Sequence, residues 1–185
     1  SWTGAASPID ANNDGWTDLY VLNMQGNDEY YENVGGKTFR KRSRELFPRT
    51  SWGAMGIKVF DFDNDGDPDI YVCNDYGSPD RMWRNDNQGF FQPVDLKSVR
   101  HTSKFTMSAD FSDLDRDGNV DFMLADMLAR DYGRMLMQES PVDRWQEPRQ
   151  IGRSDTRPQI KRNTVFLNRG DNTYAEIARL NGLSA

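Results

Sequence analysis

Apolar and polar residues alternate over short stretches of this chain. Ile57 and Val59 precede an acidic segment, and Ile70 and Val72 follow it with the same spacing. A spacing of two places these side chains on one face of a β-strand. Turn-forming residues separate such stretches, and turns at intervals of roughly 8–12 residues are typical of antiparallel sheets. The pattern therefore predicts an all-β fold.

An internal repeat organises these strands. The acidic segments begin at Asp10, Asp61 and Asp113, which lie 51 and then 52 residues apart. After each segment, an asparagine precedes an aromatic residue by six positions. These pairs are Asn33 and Phe39, Asn85 and Phe91, and Asn168 and Tyr174. We therefore expect three repeats, at residues 1–51, 52–103 and 104–185.

Each repeat predicts one four-stranded unit. Its order is strand, acidic loop, strand, turn, strand, Gly/Asn turn and strand. Four strands in about 50 residues, repeated along the chain, are typical of a β-propeller blade. Three blades do not close a ring, which takes about four to eight. We therefore expect a partial ring, either a fragment of a longer protein or an arc completed by further blades or other subunits.

The third repeat carries an insertion. Asp121 and Asn168 lie 47 residues apart, whereas the matching distances in the first two repeats are 15 and 16 residues. The extra residues fall at about 127–162, where the first part predicts a short helix and three prolines predict irregular structure. Two interpretations stay open: a surface loop that packs over its own blade, or a lid or partner contact.

The three acidic loops share the pattern D-x-[DN]-x-D-G-x-x-D. The glycine at position 6 turns the backbone sharply, so that oxygen atoms from positions 1, 3 and 5 converge. The main-chain carbonyl of position 7 and the carboxylate of position 9 can complete a cage. The predicted side-chain ligands are Asp10, Asn12, Asp14 and Asp18, then Asp61, Asp63, Asp65 and Asp69, then Asp113, Asp115, Asp117 and Asp121; the main-chain oxygens are those of Trp16, Asp67 and Asn119.

The chemistry of these cages favours calcium. Hard oxygen ligands on a flexible loop suit Ca²⁺ better than Mg²⁺, which prefers a strict octahedron. An EF-hand is excluded because its loop requires Glu at position 12, where this chain has Val21, Val72 and Leu124. We expect about three calcium ions, one per repeat, with the weakest binding in the first loop because Asn12 replaces a carboxylate. The alternative is that the loops are turns without metal.

The charge balance and residue usage exclude several classes of protein. The 185 residues include 23 Lys and Arg against 29 Asp and Glu, a net charge of −6, which disfavours a nucleic-acid partner. No apolar run reaches the roughly 18–20 residues of a membrane span. The single cysteine, Cys73, predicts a buried, inert thiol, and the single histidine, His101, predicts a structural role. Without a Ser-His-Asp set or a G-x-S-x-G motif, we expect no enzyme.

These loops and strands resemble the FG-GAP/VCBS repeat family, the calcium-binding propeller blades also found in integrin α-subunits. Residues 60–72 and 108–122 carry the resemblance, and residues 126–131 and 163–171 are similar to the cartilage-acidic-protein-like (ASPIC/UnbV-associated) branch. The Phe-Gly and Gly-Ala-Pro signatures of integrins are absent. The resemblance implies secreted, calcium-dependent propellers, commonly of seven blades, that mediate adhesion or recognition and use the matching loop residues as ligands.

The sequence as a whole favours a non-enzymatic, calcium-stabilised module for extracellular recognition, adhesion or assembly. Dissociation constants of about 10⁻⁴–10⁻³ M are typical of extracellular calcium modules, which favours an extracellular, cell-surface or periplasmic location. We expect a protein or glycan ligand, or further blades or subunits, as the partner. The alternatives are a structural subunit of a surface filament or complex, and the propeller domain of a carbohydrate-active enzyme.

Overall fold

The structure is a computed structural model that describes residues 3–48, 53–75, 78–86, 88–127, 131, 133–134, 137 and 157–184. Within these residues, the chain forms three four-stranded antiparallel sheets. In each sheet the strands lie side by side in chain order. The all-β prediction and the repeated four-stranded unit are confirmed, and we call the three sheets blade 1, blade 2 and blade 3.

Each blade contributes four strands. Blade 1 contains β1 (Thr3–Ile9), β2 (Asp18–Asn23), β3 (Glu29–Val34) and β4 (Thr38–Lys41). Blade 2 contains β5 (Ala54–Phe60), β6 (Asp69–Asn74), β7 (Arg81–Asn85) and β8 (Phe91–Pro93). Blade 3 contains β10 (Thr106–Ser112), β11 (Asp121–Asp126), β13 (Thr164–Asn168) and β14 (Tyr174–Glu176). One short helix, α1 (Ser43–Leu46), follows β4, and two short strands, β9 (Thr102–Ser103) and β12 (Gln159–Ile160), pair in parallel.

The blades are alike in register as well as in strand order. The first strand of each blade shifts its register near its start. The shift lies between Thr3 and Ala5 in blade 1, between Ala54 and Gly56 in blade 2, and between Thr106 and Ser108 in blade 3. The irregularity therefore recurs at the same place in all three blades. This common register gives each position in one blade a counterpart in the other two.

The hydrophobic core lies between the blades. A blade has a leading face, which contacts the preceding blade, and a trailing face, which contacts the following one. The first cluster joins the trailing face of blade 1 to the leading face of blade 2, and it includes Tyr20, Leu22, Tyr30, Leu46 and Phe47 with Ile70, Val72, Trp83 and Phe91. The second joins blades 2 and 3, and it includes Phe62, Tyr71, Cys73, Met82 and Val99 with Phe122, Leu124, Phe166 and Tyr174.

The connection between blades 1 and 2 requires glycine at position 53. The Gly53 N–H donates to the carbonyl of Met24 at 3.0 Å, and the Gly53 carbonyl accepts from the N–H of Asp75 at 2.7 Å. Gly53 has a φ of 96°, and a Cβ there would collide with the backbone of Asp75. The backbone thus links two blades at a point that no larger residue can occupy without strain.

Buried carboxylates occupy equivalent turns in blades 1 and 2. The Tyr20 hydroxyl donates to Asp28 at 3.1 Å, and the Tyr71 hydroxyl donates to Asp80 at 2.8 Å. The Thr106 hydroxyl reaches Asp80 from blade 3, also at 2.8 Å. Burial raises the pKa of both carboxyls to about 7. Blade 3 has methionine at the tyrosine position and Asn163 at the acid position, so the acid and its tyrosine are absent together.

These carboxyls predict a pH dependence of stability. In the folded chain each buried carboxyl keeps its proton up to about pH 7, whereas in the unfolded chain aspartate releases it near pH 3.8. The protonated carboxyl therefore contributes fully to the free energy of unfolding below pH 3.8, and this contribution is lost as the pH rises through about 7. Each group contributes a slope of at most about 1.4 kcal/mol per pH unit. We expect Asp80→Asn to flatten the fall in the free energy of unfolding between about pH 4 and pH 7, measured by urea denaturation.

The control for this experiment is Asp110→Asn. Asp110 is fully exposed and its pKa is lowered, chiefly by the hydrogen bond from Lys58, so its contribution falls outside that pH interval. Equal slopes for Asp80→Asn and the unmodified chain would show that Asp80 does not retain its proton in the folded state.

The end of the insertion contacts two blades. Nη2 of Arg157 donates to the carbonyl of Val94 at 3.0 Å, and Nε2 of Gln159 donates to the carbonyl of Ser78 at 3.1 Å. β12 then pairs with β9. This end therefore packs on blade 2 as well as on its own blade. Most of residues 127–162 lie outside the described residues, but Gly133, Arg134 and Met137 are helical, within the stretch where a short helix is predicted.

The single cysteine and the single histidine both lie against residues of the blades. Cys73 is buried between blades 2 and 3, and burial raises the pKa of its thiol well above the ordinary value. His101 lies 4.0 Å from Glu176 and against the Phe166 ring, and burial lowers its pKa. No helix in the described part of the chain is long and apolar enough to cross a membrane.

Candidate metal centre

The three acidic loops connect the first two strands of their blades and share one backbone design. We call them loop 1 (residues 10–18), loop 2 (residues 61–69) and loop 3 (residues 113–121). In loop 2, the carboxylate of Asp61 accepts the N–H of Asp65 at 3.2 Å and that of Gly66 at 2.9 Å. The same pair of hydrogen bonds joins position 1 to positions 5 and 6 in loops 1 and 3.

Two residues with positive φ produce the tight turn of each loop. The glycine at position 6 has a φ of 84°, 93° and 90° in loops 1, 2 and 3. Position 4 also has a positive φ, and it is occupied by Asn13, Asn64 and Arg116. Asparagine tolerates this conformation better than other side chains with a Cβ. The predicted turn at position 6 is therefore present, and position 4 is a second requirement that the sequence pattern leaves open.

Loops 2 and 3 each bring three carboxylates together. One oxygen atom from each of Asp61, Asp63 and Asp65 lies within 4.8 Å of the others, and the same holds for Asp113, Asp115 and Asp117. Like charges at this separation repel, and a cation among them makes their convergence favourable. Positions 1, 3 and 5 of these loops could therefore hold a metal ion.

Asp63 supports this fit with a second feature. Its Oδ1 atom is buried and accepts no hydrogen bond, although buried carboxylate oxygens usually do. The Arg84 guanidinium lies 3.8 Å from the other oxygen, Oδ2. Burial and then the charge of Asp65 raise the pKa of Asp63, while Arg84 lowers it. A cation bound between the three carboxylates would satisfy the buried oxygen and offset the repulsion.

The aspartates at position 9 have a different environment. Asp69 is fully buried, and its two oxygens accept the N–H groups of Asn85 at 2.8 Å and Phe62 at 3.0 Å. Burial, with smaller contributions from the charges of Asp63 and Asp65, raises the pKa of Asp69 to about 7. The position-9 residue thus ties its loop to the next hairpin of the blade.

Asp18 and Asp121 occupy the same position in the other loops. Asp18 accepts from Asn33 N–H and the Tyr30 hydroxyl, and Asp121 accepts from Asn168 N–H and Leu114 N–H. None of the three position-9 aspartates belongs to the compact groups of three carboxylates found among the described residues. Their role as calcium ligands stays a prediction, whereas their hydrogen bonds to the backbone are a structural role that the pattern did not indicate.

Loop 1 is the least acidic of the three. The amide of Asn12 donates to Asp14 at 3.0 Å, and its oxygen accepts the Asp14 N–H at 3.3 Å. Asp10 and Asp14 therefore have an amide between them where the other loops have a carboxylate. The weaker binding expected at loop 1 stays a prediction.

Position 7 makes contacts that the sequence analysis did not predict. The N–H groups of Trp16, Asp67 and Asn119 each donate to the position-5 carboxylate, at 2.8, 3.0 and 2.8 Å. The carboxylate of Asp67 also accepts from the amide of Asn13 at 2.8 Å and so links loop 2 to loop 1. The ring of Trp16 packs over Gly36, where a Cβ would meet it. The main-chain oxygens at position 7 remain predicted ligands.

The comparison with protein families agrees with this arrangement of loops and blades. The model of the FG-GAP-like repeat matches residues 10–72 and residues 61–124, which together span more than half of the chain. The chain belongs to the FG-GAP-like repeat family. Each FG-GAP match begins at the first aspartate of one loop and ends within the strand after the next loop, so loop 2 belongs to both. No match to a curated protein was found.

Proposed function

We propose that this FG-GAP repeat chain is a calcium-stabilised, non-enzymatic module for extracellular recognition or assembly, related to the cartilage-acidic-protein-like branch. The observation that carries the proposal is the convergence of three carboxylate oxygens within 4.8 Å in loop 2 and again in loop 3. Oxygen ligands of this kind suit Ca²⁺. Loops 2 and 3 are proposed as the stronger sites and loop 1 as the weakest.

Calcium bound at loop 2 would stabilise the junctions on both sides of blade 2. Phe62, at position 2 of this loop, is buried in the cluster that joins blades 2 and 3. Asp67, at position 7, accepts the hydrogen bond from Asn13 of loop 1. An ion that holds the loop in one conformation therefore supports contacts on both sides of blade 2. In this proposal the ion is structural, and the partner binds to loops presented by several blades.

The proposal predicts which side chains hold the ions. We expect Asp61→Ala and Asp113→Ala each to reduce the number of calcium ions bound per chain by one, because each substitution removes a carboxylate from a compact group of three. Isothermal titration with calcium measures this number. Asp110→Ala is the matched control, since Asp110 is exposed and pairs with Lys58 outside the loops. Unchanged stoichiometry in both loop variants would contradict the ligand assignment.

The enzymatic alternative makes a different prediction. We propose no catalysis because the compact carboxylate groups are assigned to calcium and His101 packs between Glu176 and Phe166. Activity against a panel of glycans, lost in a carboxylate variant that still binds calcium, would support a carbohydrate-active enzyme instead. Binding to a protein or glycan without turnover would support recognition.

A further inference from the structure

Two hydrogen-bonded connections join loop 1 to loop 2. In the first, Nδ2 of Asn13, at position 4 of loop 1, donates to Oδ1 of Asp67, at position 7 of loop 2, at 2.8 Å. Asp67 is buried, and its N–H donates to the carboxylate of Asp65 at 3.0 Å. A side chain of loop 1 is therefore linked, through one residue, to a proposed ligand of loop 2.

The second connection passes through Asn85, the last residue of β7. Its Nδ2 donates to the carbonyl of Ala11 at 2.7 Å, and its N–H donates to Oδ1 of Asp69 at 2.8 Å. Ala11, Asp69 and Asn85 are all buried, and a hydrogen bond away from water is stronger than an exposed one. Positions 2 and 4 of loop 1, which flank Asn12, are thus both tied to loop 2.

The matching positions of loops 2 and 3 form no such connection. Asn64, at position 4 of loop 2, is exposed, and its φ of 59° is close to the 53° of Asn13. Asn119, at position 7 of loop 3, uses its amide within its own loop, where it donates to Asp117 at 2.9 Å. The first connection is therefore specific to loops 1 and 2.

The counterpart of Asn85 also bonds within its own blade. The amide of Asn168 donates to the carbonyl of Val120 and to the hydroxyl of Tyr174, both at 3.3 Å. In the part of the chain that the structure describes, no hydrogen bond joins loop 2 to loop 3. Loops 1 and 2 therefore form a connected pair, and loop 3 is separate from it.

Calcium bound at loop 2 would restrict the residues that are bonded to its ligands. Asp65 would hold Asp67, and Asp67 would hold Asn13 in the positive-φ conformation that turns loop 1. The conformational entropy of this turn is then lost when the first ion binds, so a second ion at loop 1 loses less on binding. The same argument applies in reverse, because coupling between two sites is reciprocal.

We propose that calcium binds cooperatively to loops 1 and 2 and independently to loop 3. Loop 2, the more acidic of the pair, binds its ion first and strengthens binding at loop 1. This inference rests on the proposed calcium role and adds a coupling between two of its sites. The expected effect is a change of about five- to tenfold in the dissociation constant of loop 1, at the lower end of the range for coupled sites.

Isothermal titration of the full chain with calcium tests the coupling. Asp115→Ala removes a ligand of loop 3 and leaves the connected pair. Adding Asp63→Ala to that chain removes a ligand of loop 2, and the dissociation constant of loop 1 should rise by about five- to tenfold. Both substitutions are at position 3, so the backbone hydrogen bonds to position 1 are kept.

The matched control measures loop 3 in the same way. Asn12→Ala removes the position-3 ligand of loop 1, and adding Asp63→Ala to that chain should leave the dissociation constant of loop 3 unchanged. A second comparison removes the first connection itself. Asn13→Gly keeps the positive φ but lacks the amide, so Asp63→Ala should then weaken loop 1 less. Asn64→Gly makes the same change in loop 2 and should leave the coupling as it is.

The outcomes separate this inference from the proposed function. Equal dissociation constants of loop 1 with and without an active loop 2 would overturn the coupling and leave calcium binding intact. An unmodified chain that binds no calcium would overturn the proposed function and the coupling together. Circular dichroism confirms that each variant is folded. Asp63→Asn keeps the shape of the side chain and replaces Asp63→Ala if that variant does not fold, with the same direction of change expected.

Discussion

Replacing Phe47 with alanine is expected to lower the free energy of unfolding by about 3–5 kcal/mol, the range for large aromatic side chains removed from a core. Phe47 lies at the centre of the junction between blades 1 and 2 and is 7% exposed. Its ring stacks on Phe91 at 4.4 Å between centroids and meets Tyr20 edge-on at 5.1 Å. Alanine would leave a cavity bordered by both blades.

Urea denaturation followed by circular dichroism measures this change. Phe90→Ala is the control, since Phe90 neighbours Phe91 in the chain but is 40% exposed, and its loss should cost no more than about 0.5 kcal/mol. Phe47→Leu keeps part of the buried area and should fall between the two if the alanine variant does not fold. An effect at Phe47 no larger than that at Phe90 would show that the junction does not depend on this ring.

Removing calcium is expected to produce the second large effect, a lower melting temperature. An ion present at ten times its dissociation constant stabilises the folded chain by about 1.4 kcal/mol per site, so two occupied loops contribute about 3 kcal/mol. The physical reason is that loops 2 and 3 each hold three carboxylates within 4.8 Å of one another. Without a cation, their repulsion opposes the folded conformation.

Calorimetry with calcium and with EDTA measures this effect. The chain with both Asp61→Ala and Asp113→Ala is the control, and its melting temperature should respond little to EDTA because one ligand of each strong site is gone. Magnesium at the same concentration should restore less stability than calcium, since it prefers a stricter geometry and retains its waters. Equal responses of the double variant and the unmodified chain would place the calcium effect outside these loops.

The features that the sequence could predict are those that repeat. Asp10, Asp61 and Asp113 begin loops of one spacing, and that spacing fixed both the four-stranded unit and the convergence of positions 1, 3 and 5. Period-two alternation at Ile70 and Val72 indicated a strand, and both residues are buried in a junction between blades. Local periodicity and loop chemistry were sufficient for these features because they depend on residues close together in the chain.

Features that depend on distant residues could not be predicted in this way. Asp28 and Asp80 lie in turns that the repeat pattern does not mark, yet both are buried, and Asp80 accepts a hydrogen bond from Thr106 of the next blade. Phe47 follows a four-residue helix that no periodic pattern marks, and its importance arises from Phe91 of the next blade. The bond between Asn13 and Asp67 joins residues 54 apart. Such contacts join residues of different blades, so they are seen in the structure and are not marked by any local sequence pattern.

The number of calcium ions that the chain binds tests the proposed role of the three loops most directly. Equilibrium dialysis of the purified, EDTA-treated chain against calcium at concentrations up to a few millimolar, with the bound metal measured by atomic absorption, gives this number. We predict two ions bound at the lower concentrations, matching loops 2 and 3, and a third at higher concentrations, matching loop 1. A chain that binds no calcium over this range would contradict the assignment of these loops as calcium sites.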